Sequence, residues 1–397
     1  VRSGVRDYNG KMDFDFYPNS SHTIKFGANY TYHKLTPNVA EGTDGVAEFS
    51  NDLNSTFAHD AAVYIQDDWK INSRLSVNYG LRGVVFQQLG PYTSKIDGRE
   101  YGKRDPVKTY FGLEPRLSAK YSLTATSSLK AGLTYTNQYL HLVSNSTSTL
   151  PSDVWVSSTE LVEPQRSIQY ALGYFQNFKD NMFETSIEIY YRDLENQVDY
   201  AEFYVPNIAD DLESRFVFGS GRSFGMELFF KKAKGKLTGW VGYTLSRTDR
   251  KFDRPGAENK INNGERFPAI FDRTHDLSEV ASYQMNKKWT FSGAFIYGTG
   301  NSFTPVESIF FIENTANINF GARNSARIED YHRLDLSAVL TPQQQFKKNK
   351  DLISTWTFSV YNLYNRRNPF FISYDFQTSV AEGTAEGNAF KVSLFPV

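Results

Sequence analysis

Two pairs of closely spaced carboxylates are the residues in this sequence best suited to acid–base chemistry. Asp13 and Asp15 are two positions apart, and Glu184 and Glu188 are four positions apart. Paired carboxyl groups can move protons when both converge on one substrate. Both pairs, however, lie in segments where polar and apolar residues alternate, which places each pair on one face of a strand. We therefore interpret them as water-facing side chains of a sheet and predict that the protein is not an enzyme.

The other candidate motifs lack the spacing that their chemistry requires. The chain contains no cysteine, which excludes disulfides, thiolate metal sites and cysteine nucleophiles. The glycine-containing run at residues 219–222 precedes a strand-like segment rather than a helix, which argues against a phosphate-binding loop. No metal-ligand spacing relates the six histidines, which are His22, His33, His59, His141, His275 and His332. The polar run at residues 272–276 keeps two interpretations, a ligand contact and an ion pair at the top of a strand. We predict no cofactor and no bound metal.

The element that carries these side chains is clearest at residues 223–246. Apolar residues there alternate with small or polar residues, a short turn rich in lysine and glycine follows, and the alternation then resumes. Such alternation predicts a two-faced antiparallel hairpin. Each arm keeps its pattern for about the 9–11 residues that a tilted strand needs to cross a bilayer, whereas soluble strands average about 5–6. The segment is typical of a transmembrane β-hairpin.

The composition agrees with a β-barrel in a membrane. The 397 residues include 32 Phe and 25 Tyr, and aromatic girdles at the two membrane interfaces would use many of them. The mean hydropathy is only −0.49, but in a barrel only every second residue meets lipid. No apolar run approaches the roughly 18 residues of a spanning helix. The net charge of −1 gives no reason to expect nucleic acid as a partner.

The same pattern recurs along the whole chain and predicts about fifteen strands. Short turns alternate with long loops, as in barrels whose short turns face the periplasm and whose long loops face outward. We therefore predict an all-β fold, a transmembrane antiparallel β-barrel. An odd number of strands cannot close such a barrel. We interpret residues 1–397 as one barrel domain, a fragment that lacks the first strands and is cut within a last strand beginning near residue 389.

Several segments resemble the carboxy-terminal β-barrel region of TonB-dependent outer-membrane receptors. The clearest is YIQDDWKINSRLSVNYGLR at residues 64–82, and similar segments occur in the family's order at 114–123, 137–146, 235–248, 272–278, 331–337 and 358–369. The resemblance is to a subfamily that often carries an amino-terminal carboxypeptidase-regulatory-like domain. It implies a 22-stranded barrel closed by an amino-terminal plug, on which the TonB–ExbB–ExbD complex pulls. The plug and the TonB box are absent from this sequence, so the coupling to TonB is an expectation.

The alternation also predicts which charged residues face the interior of the barrel. Charges on the lipid face are costly, so we expect the strand charges to line the lumen and contact the plug or a solute. The candidates are Glu114, Arg116, Lys130, Glu188, Glu227, Arg333 and Asp335. Glu279 shares its face with outward apolar residues, and we expect either a position near the membrane interface or a bulge there. Arginine at Val241 is expected to block assembly, whereas arginine at Thr244 is expected to be tolerated.

The leading functional hypothesis is active import of a scarce, bulky nutrient of the siderophore, glycan or peptide class, powered by TonB. The alternative is a passive porin or a structural outer-membrane barrel, while a surface enzyme and a soluble β-sandwich are less well supported. The expected location is the bacterial outer membrane. The expected partners are outer-membrane lipid, the TonB–ExbB–ExbD complex through the missing amino-terminal region, and a possible surface lipoprotein.

Overall fold

A computed structural model describes most of the chain. The described residues are 2–39, 41–43, 48–50, 55–144, 154–202, 212–254, 260–312, 315–342, 354–379 and 384–393. The predicted short turn at residues 347–351 lies outside them.

Long antiparallel strands form one large sheet. Fifteen strands belong to it, and fourteen follow a continuous path in which each strand pairs with its neighbour in the path. The path consists of β1 (Arg2–Asn19), β2 (His22–Val39), β3 (Thr56–Lys70), β4 (Leu75–Leu89), β5 (Pro106–Ser122), β6 (Ser127–Gln138), β7 (Gln165–Phe178), β8 (Phe183–Tyr200), β9 (Phe216–Lys232), β10 (Leu237–Lys251), β11 (His275–Gln284), β12 (Trp289–Gly298), β13 (Tyr331–Leu340) and β14 (Trp356–Val360). The predicted order and pairing of the first fourteen strands are confirmed. Among the described residues, β1 and β14 are the open edges of a partial barrel.

Short strands and turns lie in the loops that connect the long strands. Phe267–Pro268 pairs with β10. Separate two-stranded sheets join Glu41–Thr43 to Glu48–Ser50, Tyr92–Thr93 to Glu100–Tyr101, Leu140–Val143 to Val154–Ser157, Ser302–Phe303 to Ala326–Arg327, and Val306–Ile312 to Thr315–Phe320. Two short 3-10 turns cover Leu212–Arg215 and Ile261–Gly264. These elements all occur in the long loops, so the two ends of the sheet differ in structure.

Asparagine side chains close three of the short turns. Asn19, Asn72 and Asn286 each accept backbone N–H bonds from the residues two and three positions later, at 2.8–3.2 Å. This arrangement is an Asx turn, in which the side chain takes the place of a backbone acceptor. Because a turn of fixed length sets the pairing of its flanking strands, these asparagines determine which residues share a face.

The outward face of the sheet is apolar and uncovered. Tyr170 and Leu172 on β7 and Ile187 and Ile189 on β8 are each about half exposed, although large apolar residues in soluble proteins are usually buried. Their direct cross-strand neighbours on this face are again apolar or aromatic. A continuous belt of this kind is the lipid-facing surface of a transmembrane barrel. Within the described residues there is no helix that is long and apolar enough to cross a membrane.

The buried apolar core lies at the outer end of the sheet rather than in its middle. Phe86, near the end of β4, stacks on Tyr139 with ring centroids 4.9 Å apart, and Ala58 and Val84 pack beside them. Two further clusters are formed by residues of the long loops and the adjoining strand ends, one with Val143, Val162, Val198, Tyr200 and Phe216, and one with Ala201, Val217, Phe252, Ile261 and Phe267. The loops therefore form a packed cap on the strand ends.

The prediction of a barrel strand at residues 389–397 is wrong in its start and its partner. The strand is Thr384–Ser393, and it pairs with Pro369–Ser379 in a separate two-stranded sheet. Residues 394–397 lie outside the described chain. Four residues separate the two arms of this hairpin, so the loop closed by pairing them is short and costs little conformational entropy.

Glu279 faces lipid without a bulge. It lies directly opposite Val241 on β10 and Phe295 on β12, in pairings that show no register shift. Five residues separate it from the end of β11, which corresponds to a height of about 12 Å in a belt about 25 Å tall. The expectation of a bulge is therefore wrong, because the register is unbroken, and the position of Glu279 in the middle of β11 favours a site within the belt.

Glu279→Leu is expected to stabilise the assembled barrel by about 1–2 kcal/mol, since it removes an acidic group from an apolar surface. The measurement is the free energy of unfolding of the full-length protein from lipid vesicles in urea. Glu184→Leu is the matched control, because it removes a carboxylate from the opposite face, where Glu184 is paired with Lys231 at 3.2 Å, and should bring no such gain. Equal changes for the two variants would contradict the assignment of Glu279 to the lipid face.

Candidate functional site

All seven predicted lumen residues lie on the inward face, opposite the apolar belt. Glu114 and Arg116 alternate with the exposed Leu113 and Leu117 on β5, and Glu188 lies between Ile187 and Ile189. The remaining four alternate with outward apolar residues in the same way: Lys130, Glu227, Arg333 and Asp335. The geometry thus puts them on one surface, and their binding role stays a prediction.

Three of the seven are neutralised within the wall. Glu114 is only 6% exposed, lies 3.7 Å from Arg82, and accepts a 2.9 Å bond from the backbone N–H of Asn137. Arg333 and Asp335 form a 3.0 Å ion pair with each other. These residues stabilise the barrel wall, so they are poor candidates for contact with a solute.

Two like-charged pairs on the inward face are not neutralised in this way. Lys120 lies directly opposite Lys130, and Glu188 lies directly opposite Glu227. Like charges in direct cross-strand opposition are destabilising. Neither pair has an ion-pair partner among the residues that the structure describes. They form the candidate site, because counter-charges on a body inside the barrel would relieve both repulsions.

Gly173 joins the two pairs into one row. It is the direct neighbour of both Lys130 and Glu188. A Cβ at this position would lie 2.9 Å from Glu188 Cγ and 2.9 Å from a ring atom of Phe175, so only glycine lets these side chains lie across it. The ammonium group of Lys130 lies 3.8 Å from the centroid of the Phe175 ring, a cation–π contact. Glu188 and Glu227 line an adjacent concave cavity of about 440 Å³.

The row continues in both directions and climbs the wall. Successive direct neighbours lead from Lys70 at the periplasmic end of β3, through Ser76, to the lysine pair, and from the glutamate pair through Thr244 to Asp276 at the outer end of β11. Because strands in such barrels tilt by about 40°, each step along the row rises by about 3 Å. The lower half of this row carries the lysines and the upper half carries the carboxylates.

Carboxylates also organise the loop cap. Glu160 accepts bonds from the backbone N–H of Lys95 at 2.6 Å, Ser94 Oγ at 3.1 Å and Tyr92 Oη at 3.3 Å. The Tyr92 hydroxyl also donates to Glu213 at 2.9 Å. Burial and the charge of Glu213 raise the pKa of Tyr92 well above its usual value, so it remains a donor at physiological pH. These bonds join loops that are far apart in sequence.

The run at residues 272–276 forms an ion-pair site at the top of a strand. Asp272 is 2% exposed, accepts the backbone N–H of Thr248 at 2.6 Å, and pairs with the guanidinium group of Arg327. Arg273 and Asp276 form a looser pair at 3.8 Å. Of the two interpretations of this run, the structural one has direct support.

The histidines serve as local hydrogen-bond partners. His22 contacts Asp67 at 2.6 Å and His33 contacts Asp7 at 2.8 Å, while His59, His275 and His332 each lie 2.7–2.8 Å from a tyrosine hydroxyl. The described residues contain no group of three potential ligands that could hold a metal ion.

The sequence analysis does not identify Lys120 as a site residue, although Lys120 has the same alternation as Lys130. It also does not identify Glu160, because the hydrogen bonds of Glu160 join distant loop residues and no periodic pattern in the sequence indicates them.

A match to a protein-family model identifies the family to which this barrel belongs. The model described as TonB-dependent receptor-like, beta-barrel matches residues 2–363. The chain belongs to this TonB-dependent receptor family. It is therefore a protein of the bacterial outer membrane, in a family of transporters and receptors rather than of enzymes. Comparison with curated protein sequences finds no match.

Solved structures share the fold of this TonB-dependent receptor barrel. The FrpB iron transporter from Neisseria meningitidis (F3-3 variant) matches with a TM-score of 0.60 and 14% identity, covering 91% of this chain and 51% of that one. The pyoverdine outer membrane receptor FpvA from Pseudomonas aeruginosa PAO1 gives 0.57 and 15%, with 91% and 49% covered. The ferric yersiniabactin uptake receptor FyuA from Yersinia pestis gives 0.57 and 14%, with 97% and 51% covered. The receptor barrel thus spans about half the length of these proteins.

The cap of the receptor barrel is expected to loosen in acid because of His141. This residue is 1% exposed, its Nε2 lies 3.0 Å from Ser158 Oγ, and burial lowers its pKa to about 4. An unfolded histidine binds a proton near pH 6.5, so the folded cap loses stability as the pH falls from about 6.5 towards 4, by roughly 3 kcal/mol in all. Above pH 6.5 no change is expected from this group.

Hydrogen exchange at Leu140–Val143 and Val154–Ser157, compared between pH 7 and pH 5 after correction for intrinsic rates, measures this effect. His141→Phe is the control, because it fills the site without titrating. If the corrected exchange of the native hairpin is the same at both pH values, His141 does not control the cap.

Proposed function

We propose that this chain is the barrel part of a longer receptor that imports a scarce, bulky nutrient across the outer membrane with energy from TonB–ExbB–ExbD. The single observation that carries the proposal is the family match over residues 2–363. The half-length coverage of the solved structures supports a longer protein. The nutrient classes that we consider are siderophores, glycans and peptides. Siderophores should be tested first, because the similar solved structures are named as iron or siderophore transporters and receptors. We propose no enzymatic activity.

The row on the inner wall supports an occupant in the barrel. Lys120 with Lys130 and Glu188 with Glu227 place two positive and two negative charges on one surface, each unbalanced within the described wall. A plug that carried acidic groups opposite the lysines and basic groups opposite the glutamates would remove both repulsions. An open, water-filled porin would leave them in place.

Conductance separates the importer from the passive porin. The full-length protein in planar lipid bilayers is expected to be closed, and Lys120→Glu/Lys130→Glu is expected to raise the frequency of open events at least tenfold by loosening the plug. Arg333→Gln is the matched control on the same face, because its charge is already balanced by Asp335 at 3.0 Å. A wild-type protein that conducts steadily would favour the porin.

Uptake tests the energy source. Cells producing the full-length protein are supplied with labelled ferric siderophores, oligosaccharides or peptides, with and without TonB. We expect one class to accumulate only when TonB is present. Accumulation that is the same in both strains would contradict active transport.

A surface lipoprotein is a further partner that we propose. Co-purification from the native membrane would identify it.

A further inference from the structure

We infer that the periplasmic rim between β7 and β9 holds a binding site for an anionic phospholipid of the inner leaflet. The site consists of a cavity of about 780 Å³ with Phe178, Phe183 and Phe230 in its lining. Gln176, Lys179 and Asp180 also line it, and the backbone carbonyl of Asp180 accepts a hydrogen bond from Lys234. Phe178 and Phe230 are both 47% exposed on the lipid-facing side, so the apolar part of the cavity is accessible to acyl chains.

Two lysines flank the apolar part of this rim cavity. Lys232 lies directly opposite Phe183 on the neighbouring strand, and Phe183 lies directly opposite Phe178. The ammonium group of Lys179 lies 5.8 Å from the centroid of the Phe183 ring. Neither lysine has a carboxylate partner in the part of the chain that the structure describes. A phosphate placed between them would be balanced by two positive charges at the boundary of the apolar belt.

Two other lysines beside the rim cavity, unlike Lys179 and Lys232, already have polar partners within the described part of the protein. Lys231, on the inward face, pairs with Glu184 at 3.2 Å. Lys234 donates to the backbone carbonyl of Asp180 and therefore joins the β9–β10 turn to the β7–β8 turn. The backbone N–H of Ala233 bonds to the carbonyl of Met182 at 2.8 Å and strengthens this connection. These bonds hold the two turns, and with them the backbones of Lys179 and Lys232, next to each other.

The charge around the periplasmic rim is also uneven. The three consecutive turns at residues 179–182, 233–236 and 285–288 contain five lysines, whereas the three turns at 18–21, 71–74 and 123–126 contain one basic residue, Arg74. Basic residues near a membrane surface attract anionic headgroups, by about a fivefold gain in affinity for each residue. The rim cavity lies in the basic sector, which favours an anionic phospholipid over a zwitterionic one.

The test uses the full-length protein in detergent and native mass spectrometry to measure lipid affinity. Long-chain phosphatidylglycerol is expected to bind more tightly than phosphatidylethanolamine, and Lys179→Gln/Lys232→Gln is expected to weaken phosphatidylglycerol binding roughly 30-fold. The control is Lys120→Gln/Lys130→Gln, which removes the same charge from the inner wall and should leave the affinity unchanged. Heat-modifiable mobility verifies that both variants are folded.

Three results would overturn the inference. The first is equal affinity for the two lipids, and the second is an equal loss in the control variant. In the third, short-chain phosphatidylglycerol or inorganic phosphate competes as well as the long-chain lipid, which would identify a free-anion site instead of a lipid site. This test does not depend on transport, so its outcome is independent of the proposed function.

Discussion

Ile187→Arg is expected to prevent assembly of the barrel. Ile187 is 51% exposed on the outward face, and its direct neighbours on that face are Tyr174 and Leu228. It lies five residues above the turn that ends at Met182, near the middle of the lipid belt. An arginine there costs about 2–4 kcal/mol, and no acidic neighbour is in direct opposition to reduce this cost.

The measurement is the fraction of full-length protein that shows heat-modifiable mobility in outer-membrane preparations. Thr244→Arg is the matched control, because Thr244 faces inward and lies directly opposite Glu227, where an arginine gains a counter-charge. We expect normal assembly of the control. Assembly of both variants to the same extent would refute the assignment of faces.

Arginine at Val241 is a less severe change than the sequence alone suggests. Val241 lies directly opposite Glu279, so an arginine there has a carboxylate within reach across the strands. We expect Val241→Arg to assemble better than Ile187→Arg and to fail when combined with Glu279→Leu. The sequence prediction for Val241 missed this compensation because the cross-strand register was not known.

Asp272→Ala is expected to open the loop cap at its junction with β10 and β11. The buried carboxylate accepts the Thr248 N–H and pairs with Arg327, whose guanidinium also donates to the carbonyls of Asp272 at 2.9 Å and Gly300 at 3.0 Å. Removing the carboxylate leaves a backbone donor and part of a guanidinium without a partner, at a cost of about 3 kcal/mol. Faster hydrogen exchange at Thr248 and at Ala326–Arg327 measures the loss.

Asp276→Ala is the control for this experiment. Its carboxylate lies 3.8 Å from Arg273 and both side chains are more than 40% exposed, so the pair contributes at most about 1 kcal/mol. Exchange at Thr248 should be unchanged. If the two variants accelerate exchange equally, Asp272 does not anchor the cap.

The wall could be predicted from the sequence because its side chains obey a local rule. Residues such as Ile187 and Glu188 alternate, and alternation determines the face regardless of the partner strand. The pairing within each hairpin followed from turns of a few residues, such as the one at Asn72, which join two strands directly.

What the sequence could not predict depends on contacts between distant residues. The Tyr92 bond to Glu213 spans 121 positions, and the Arg323 bond to the Tyr200 carbonyl spans 123. No periodicity encodes such pairs. The candidate site was found only in part for the same reason: alternation identified Glu188 and Glu227 as inward, but the register made them a directly opposed pair.

The climbing row of charges has a mechanical consequence. Neighbouring positions in the row differ both in depth and in direction around the barrel axis, from Lys70 near one end to Asp276 near the other. A body inside that exchanged one of these contacts for the next would have to rotate as it advanced. The row therefore follows a helical path around the barrel axis, and movement along it combines translation with rotation.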